Sequence, residues 1–235
     1  RSLRTPSGFG FGAYTNLAEP IGGLAVAPTT AMWNSARFAV VATILAVGIG
    51  LAASSVIAYR KGWVGRSFDA LLMLPLGTSA VTLGFGFLLA LDQPVDLRTS
   101  IWLIPIAHAL VAIPFVVRTT VPVLRSVKHR LREAAATLGA SPEQVWREVD
   151  LPMVTRAALI GAGFAFAVSL GEFGATSFLA LPTNPTLPTA IFRLLGRPGV
   201  SSFTAAMALS TILMAGTAVA VLLIERLRKD TLGDF

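Results

Sequence analysis

The sequence contains no cysteine and few charged residues. Asp, Glu, Lys and Arg make up 13% of its 235 residues, roughly half of the share that a soluble domain carries. The absence of cysteine excludes disulfide frameworks, thiolate zinc sites and iron–sulfur clusters. HExxH motifs, paired aspartates and glycine-rich loops ending in Gly-Lys-Ser or Gly-Lys-Thr are absent as well. We therefore predict no catalytic residue, no metal ligand, no cofactor and no ATP hydrolysis in this chain.

The sequence is instead rich in hydrophobic residues, which account for 54% of it and give a mean hydropathy of +0.72. Too little polar surface remains to cover a globule in water, so we expect membrane lipid to surround the chain. The net charge of +7 raises nucleic acid as a partner, but the basic residues are dispersed among apolar runs. Basic cytoplasmic loops of a membrane protein account for the same excess, and we expect no nucleic-acid partner.

Five apolar segments are candidate transmembrane helices, because a helix needs about 20 apolar residues to cross the hydrocarbon core. They cover residues 38–58, 70–91, 101–117 with an extension through 124, 157–179 and 203–224. The sequence therefore predicts an all-α membrane protein with about five transmembrane helices. We expect residues 1–33 to form an extracytoplasmic loop, residues 34–228 the membrane domain and residues 229–235 a cytoplasmic tail.

The distribution of basic residues predicts the orientation of the chain. An odd number of spans places the two chain ends on opposite sides of the membrane. With residues 1–33 outside, 13 of the 19 Lys and Arg residues fall on the cytoplasmic side, in agreement with the positive-inside rule. We expect a multi-pass membrane protein with its N-terminus outside and its C-terminus in the cytoplasm.

Residues 125–152 form a polar loop between the third and fourth predicted spans. Residues 131–138 are strong helix formers, and Gly139 follows where a left-handed residue commonly ends a helix. Ser141 is a good N-cap, and Gln144 completes a capping box with it. The polar loop therefore predicts two short helices joined by a sharp turn.

The residues of the polar loop alone leave two interpretations open. We expect its second helix to end at Leu151-Pro152, before the next span. The helix carries Val145 and Trp146, which have no core of their own. It is either a rigid element on which another subunit docks or an amphipathic helix that lies on the bilayer.

The polar loop resembles the EAA signature of binding-protein-dependent ABC importer permeases. The matching residues are Glu133, Ala134, Ala135, Gly139, Leu151 and Pro152, with Val149 where the family usually has Ile. The resemblance implies a type I ABC importer permease fold in the bacterial plasma (inner) membrane, in which this loop couples to a transport ATPase. The coupling residues that it implies are Glu133, Ala134, Ala135, Gly139, Ala140 and Trp146. It also implies as partners an ABC ATPase dimer that binds ATP and Mg, a second permease half and an extracytoplasmic substrate-binding protein.

Glu172 is an ionisable residue within the fourth predicted span, where a charge is costly and suggests function. It lies between Gly171 and Gly174, and these three residues are candidates for the translocation path or a gate. The alternative is that the Glu172 carboxylate caps backbone N–H groups freed by a helix break. For His108 we favour a hydrogen-bonded packing role over a substrate or proton site, and we expect Arg118 to extend toward the cytoplasmic interface.

The solute is only weakly encoded. Residues 171–179 and the later TLPTAIFRLLGRPG run (residues 186–199) resemble permeases of the thiamine, ferric-iron, molybdate and sulfate importers. The Thr186-Leu187-Pro188 run together with Ile191–Gly196 favours thiamine or ferric iron, with an oxyanion such as molybdate or sulfate as the alternative. The chain resembles the second half of permeases that fuse two halves. An ion-coupled carrier or a channel is the competing function.

Overall fold

The computed structural model describes residues 4–5, 8–15, 17–60, 62–93, 96–126 and 129–232. These residues are predominantly helical, which confirms the expected all-α membrane fold. The helices are α1 (Gly12–Thr15), α2 (Pro28–Tyr59), α3 (Trp63–Gly77), α4 (Ala80–Ala90), α5 (Leu103–Ser126), α6 (His129–Thr137), α7 (Pro142–Val145), α8 (Leu151–Gly171), α9 (Thr176–Leu179), α10 (Leu187–Leu195) and α11 (Val200–Leu232). Before them, β1 (Arg4–Thr5) pairs antiparallel with β2 (Gly8–Phe9).

Among the described residues, four helical segments are long and apolar enough to cross a membrane, namely Pro28–Tyr59, Leu103–Ser126, Pro142–Gly171 and Val200–Arg226. The pair α3 and α4 brings the number to five when it is counted as one broken span. The first span begins earlier than expected, because Pro28 starts α2 within the predicted loop of residues 1–33. Proline suits this position, since its missing N–H has no intrahelical acceptor there.

The expectation of an unbroken helix over residues 70–91 is wrong. Helix α3 ends at Gly77 and α4 begins at Ala80, and the two are bent by 102°. Thr78 and Ser79 between them adopt extended backbone conformations. Glycine, threonine and serine are weak helix formers, so the segment is apolar enough to cross the membrane but breaks locally.

The expectation that Leu151-Pro152 ends the second loop helix is also wrong. Helix α7 passes through a π-helical turn (Trp146–Asp150) directly into α8, so Pro142–Gly171 is one helical segment. The Leu151 N–H bonds to the Trp146 carbonyl, and Pro152 falls in the first turn of α8, where proline is tolerated. The polar loop is therefore continuous with the following span.

Helix α5 lies at the centre of the bundle, packed between α2 and α8. In the apolar stretch of this span 67% of the residues are buried, against 22–39% in the other three continuous spans. Small residues permit the close approach: a Cβ added at Gly50 of α2 would lie 2.7 Å from a Val116 methyl, and one added at Gly161 of α8 would lie 3.0 Å from the Val116 Cα. Close packing of this kind holds membrane helices together in the absence of a hydrophobic gain.

Candidate functional site

Helix α6 of the polar loop ends in a Schellman motif, which confirms the predicted left-handed glycine. Gly139 has a φ of +88°. Its N–H bonds to the Ala136 carbonyl at 3.0 Å, and the Ala140 N–H bonds to the Ala135 carbonyl at 3.0 Å. A Cβ added at Gly139 would meet no atom of this chain within 4 Å. The requirement for glycine within the chain is therefore conformational rather than steric.

The predicted capping box of α7 is confirmed. The Gln144 N–H donates to Ser141 Oγ at 3.3 Å, and the Ser141 N–H donates to Gln144 Oε1 at 2.8 Å. Both ends of the short turn between α6 and α7 are thus closed by local hydrogen bonds. The polar loop is a defined helix–turn–helix element rather than an irregular linker.

The surface of this element is partly apolar. Of the coupling residues inferred from the sequence, Glu133, Ala134 and Gly139 are exposed, whereas Ala135, Ala140 and Trp146 are half-buried. Sequence reasoning did not single out Leu138, which is 88% exposed beside Gly139. Its only signal was an apolar residue at the end of a polar helix.

Arg132 connects the polar loop to the ends of the neighbouring spans. Its Nε donates to Asp150 Oδ1 at 2.9 Å, and its Nη2 donates to Tyr59 Oη at 3.1 Å and to the Leu124 carbonyl at 3.3 Å. The Tyr59 hydroxyl in turn donates to Asp150 Oδ2 at 3.0 Å. Asp150 is 4% exposed, and a buried carboxylate needs such partners.

Glu172 lies at a break in the fourth membrane segment, so the predicted continuous span of residues 157–179 is wrong. Helix α8 ends at Gly171, and Glu172 adopts an extended conformation. Its Oε1 accepts from the Ala175 N–H at 2.8 Å, and its Oε2 accepts from the Thr176 N–H at 3.0 Å and from the Thr176 hydroxyl. The capping interpretation of Glu172 is confirmed: the carboxylate satisfies N–H groups at the start of α9.

His108 of α5 bridges this break, which confirms its expected role as a hydrogen-bonded packing residue. Its Nδ1 lies 2.7 Å from Ser169 Oγ before the break, and its Nε2 lies 2.6 Å from Thr176 Oγ1 after it. Nε2 also lies 3.3 Å from Glu172 Oε2. Because the Thr176 hydroxyl donates its proton to Glu172, Nε2 must be the donor toward Thr176. Both His108 and Glu172 are buried.

The two glycines beside Glu172 have different surroundings. Gly171 is exposed, and a Cβ added there would meet nothing within 4 Å. A Cβ added at Gly174 would lie 2.9 Å from the Ala80 Cβ, at the start of α4. Gly84 of α4 likewise approaches Ala175, whose Cα would lie 2.6 Å from an added Cβ. The break after α8 therefore packs against the helix that follows the break between α3 and α4.

Arg118 of α5 has an exposed side chain, and its Nη1 lies 3.8 Å from Oδ2 of Asp69 in α3. Among the described residues, no group of three or more His, Cys, Asp or Glu side chains is arranged to hold a metal ion. Within the membrane segments, the structure brings together the buried pair His108 and Glu172. Both side chains make hydrogen bonds to other groups of this chain.

Residues 44–229 match the model of a protein family described as "Binding-protein-dependent transport system inner membrane component". The chain is 30% identical over 230 residues to the probable ABC transporter permease protein y4fN of Sinorhizobium fredii, covering 94% of this chain and 39% of y4fN. It is 33% identical over 207 residues to the molybdenum transport system permease protein ModB of Mycobacterium tuberculosis, covering 82% of this chain and 77% of ModB.

A third relative is the sulfate transport system permease protein CysT of Salmonella typhimurium. It is 36% identical to this chain over 157 residues, which cover 59% of this chain and 57% of CysT. The chain thus spans about two fifths of y4fN and larger shares of the other two relatives.

Proposed function

Because the chain belongs to the family of inner-membrane components of binding-protein-dependent transport systems, we propose that it is the permease half of an ATP-driven oxyanion importer. The family match over residues 44–229 is the observation that carries the permease function. The helical architecture is that of a type I ABC importer permease. The chain forms one side of the translocation path, and a second permease half completes it.

The relatives favour an oxyanion as the solute. Two of them are named for molybdenum and for sulfate transport. Molybdenum in neutral water is molybdate, a tetrahedral dianion like sulfate, so the two names point to one class of ligand. The preference for thiamine or ferric iron, drawn from residues 186–188 and 191–196, finds no support in these relatives. An extracytoplasmic binding protein selects the solute and delivers it to this chain.

The polar loop is the proposed docking site for the ABC ATPase, which binds ATP and Mg. Its exposed face combines Glu133, Ala134, Leu138 and Gly139, a small-residue surface with one carboxylate and one large apolar side chain. The helical continuity of Pro142–Gly171 supports this function. A displacement of the loop within an ATPase cleft moves the span with it.

A carrier or channel without an ATPase is less well supported. Ion-coupled carriers place ionisable side chains where they face a water-filled path. Glu172 is instead buried and accepts hydrogen bonds from the backbone at the start of α9. This arrangement uses the carboxylate for structure.

The solute is tested with the complete complex of this chain, its ATPase and its binding protein in proteoliposomes. We expect ATP-dependent uptake of radiolabelled sulfate or molybdate, and no uptake of thiamine or ferric iron. Uptake of thiamine or iron would overturn the oxyanion assignment. Uptake that persists without ATP would overturn the importer assignment and favour a carrier.

The orientation is tested by single-cysteine labelling, for which the cysteine-free chain is already suited. The exposed residues Glu19, Arg66, Gln93 and Leu138 are each replaced by cysteine. We expect Glu19→Cys and Gln93→Cys to react with a membrane-impermeant maleimide from outside, and Arg66→Cys and Leu138→Cys to react only in inside-out vesicles. Labelling of Gln93→Cys and Arg66→Cys from the same side would show that α3 and α4 form a re-entrant loop.

A further inference from the structure

The geometry points to Arg132, Asp150 and Tyr59 as positioning residues that transmit motion from the polar loop to the membrane helices. This inference rests on the proposed function, in which the ATPase moves the polar loop. The inference assigns these three residues no contact with solute or ATP. They act by holding the loop to the helices that it must displace.

The position of Arg132 is the first argument. It directly precedes Glu133, the exposed residue proposed to contact the ATPase. Its own side chain is only 21% exposed and is directed at the ends of the spans. Neighbouring residues on a helix project in different directions, so α6 can present Glu133 to a partner while Arg132 contacts the membrane domain.

The second argument is that one guanidinium reaches three membrane helices. Asp150 is the last residue before α8, Tyr59 is the last residue of α2, and Leu124 lies in the final turn of α5. Arg132 bonds to all three at 2.9–3.3 Å. Its Cζ also lies 4.9 Å from the centre of the Tyr59 ring. A displacement of α6 therefore acts on α2, α5 and α8 together.

The π turn provides the third argument. Asp150 is its last residue. A π turn inserts one extra residue into a helix, so the residues after the turn are rotated by about 100° relative to the residues before it. The turn therefore sets which face of the Pro142–Gly171 segment carries Asp150 toward Arg132. π turns of this kind occur frequently at functional sites.

Lysine cannot replace arginine in this arrangement. The planar guanidinium presents several N–H donors at fixed angles, whereas an ammonium is a compact charge on a flexible stem. In Arg132→Lys the charge remains next to Asp150, but contact with Tyr59 and the Leu124 carbonyl at the same time is lost. Arg132→Lys therefore keeps the positive charge at this position and removes only the hydrogen-bond geometry of the guanidinium.

The test uses the complete complex in proteoliposomes, with uptake of radiolabelled sulfate and molybdate and ATP hydrolysis measured in the same vesicles. The variants are Arg132→Lys, Asp150→Asn and Tyr59→Phe. We expect each to retain the ATPase during purification and to lower the solute carried per ATP hydrolysed by about 2- to 30-fold, which corresponds to the loss of about 0.5–2 kcal/mol of coupling free energy. Arg66→Gln, which removes an exposed arginine of α3, is the matched control and leaves this ratio unchanged.

A purely structural role is separated by the double variant Arg132→Gln/Asp150→Asn, which removes both charges of the pair. We expect Asp150→Asn to lower the melting temperature, because it leaves the half-buried Arg132 guanidinium without its carboxylate partner. The double variant regains this melting temperature while uptake per ATP stays low. Recovery of both quantities, or wild-type ratios in all three single variants, would overturn the inference. Failure of the proposed function looks different, because the unmodified chain would then neither retain an ATPase nor show ATP-dependent uptake.

Discussion

Replacing Gly139 with valine is expected to abolish ATP-driven uptake while the spans remain inserted in the membrane. Gly139 has a φ of +88°, and the left-handed conformation costs a residue with a Cβ about 1–2 kcal/mol, more for a β-branched one. Valine therefore opens the Schellman turn and misaligns α6 with α7. Co-purification with the ATPase and uptake of sulfate and molybdate are the measurements.

Gly139→Asn is the matched variant that separates backbone conformation from space. Asparagine enters the left-handed region more readily than other residues with a side chain, so the turn survives. The chain itself leaves room for a side chain there, so under the proposed docking only the bound ATPase would meet the asparagine side chain. We expect Gly139→Asn to weaken ATPase association with an unchanged melting temperature. Normal association and uptake in both variants would contradict docking at this turn.

Replacing Glu172 with alanine is expected to destabilise the membrane domain strongly. The change leaves the N–H groups of Ala175 and Thr176 without the acceptors they have at 2.8 and 3.0 Å and removes the carboxylate 3.3 Å from His108. Each buried polar group left unsatisfied costs about 1–3 kcal/mol. The melting temperature of the purified chain in detergent, and the yield of folded protein, measure the effect.

Glu172→Gln is the informative companion variant. Each carboxylate oxygen accepts from a different backbone N–H, whereas the glutamine amide has one oxygen and one NH₂ group. One of the two N–H groups would then face a donor, so we expect the free energy of unfolding to fall by about 1–3 kcal/mol. Uptake is then reduced in proportion to the folded fraction. A glutamine variant that is stable and yet inactive would instead assign the charge a role in transport.

Much of the fold could be predicted from local features of the sequence. The apolar segments, the left-handed Gly139 and the Ser141–Gln144 capping box are properties of short stretches. The structure has apolar helices that overlap each predicted span, and it has the left-handed glycine and the capping box at the expected residues. Three predictions failed because neither hydrophobicity nor a lone proline reports backbone continuity. The α3–α4 segment is apolar but breaks at Thr78-Ser79, and the fourth predicted span breaks at Glu172. Pro152, a usual helix terminator, lies instead within a continuous helical segment that passes through the π turn.

The residues of the candidate site likewise differ in whether the sequence could predict them. Glu133, Gly139 and their neighbours are recognisable because the proposed docking motif is contiguous in the chain. Tyr59 and Asp150 are 91 residues apart, and Arg132 and Asp150 are 18 apart. No periodicity or composition of the sequence links them.

By itself the sequence determined that this chain lies in a membrane, which segments can cross it, and which loop carries the motif proposed to dock the ATPase. These features follow from transfer free energies and local backbone preferences, which each stretch carries independently of the others. Only the tertiary structure decided that Arg132 joins three helices and that His108 and Glu172 bridge a break. Such contacts depend on how the helices pack, since a buried polar group takes its partner from the helix that the packing places beside it.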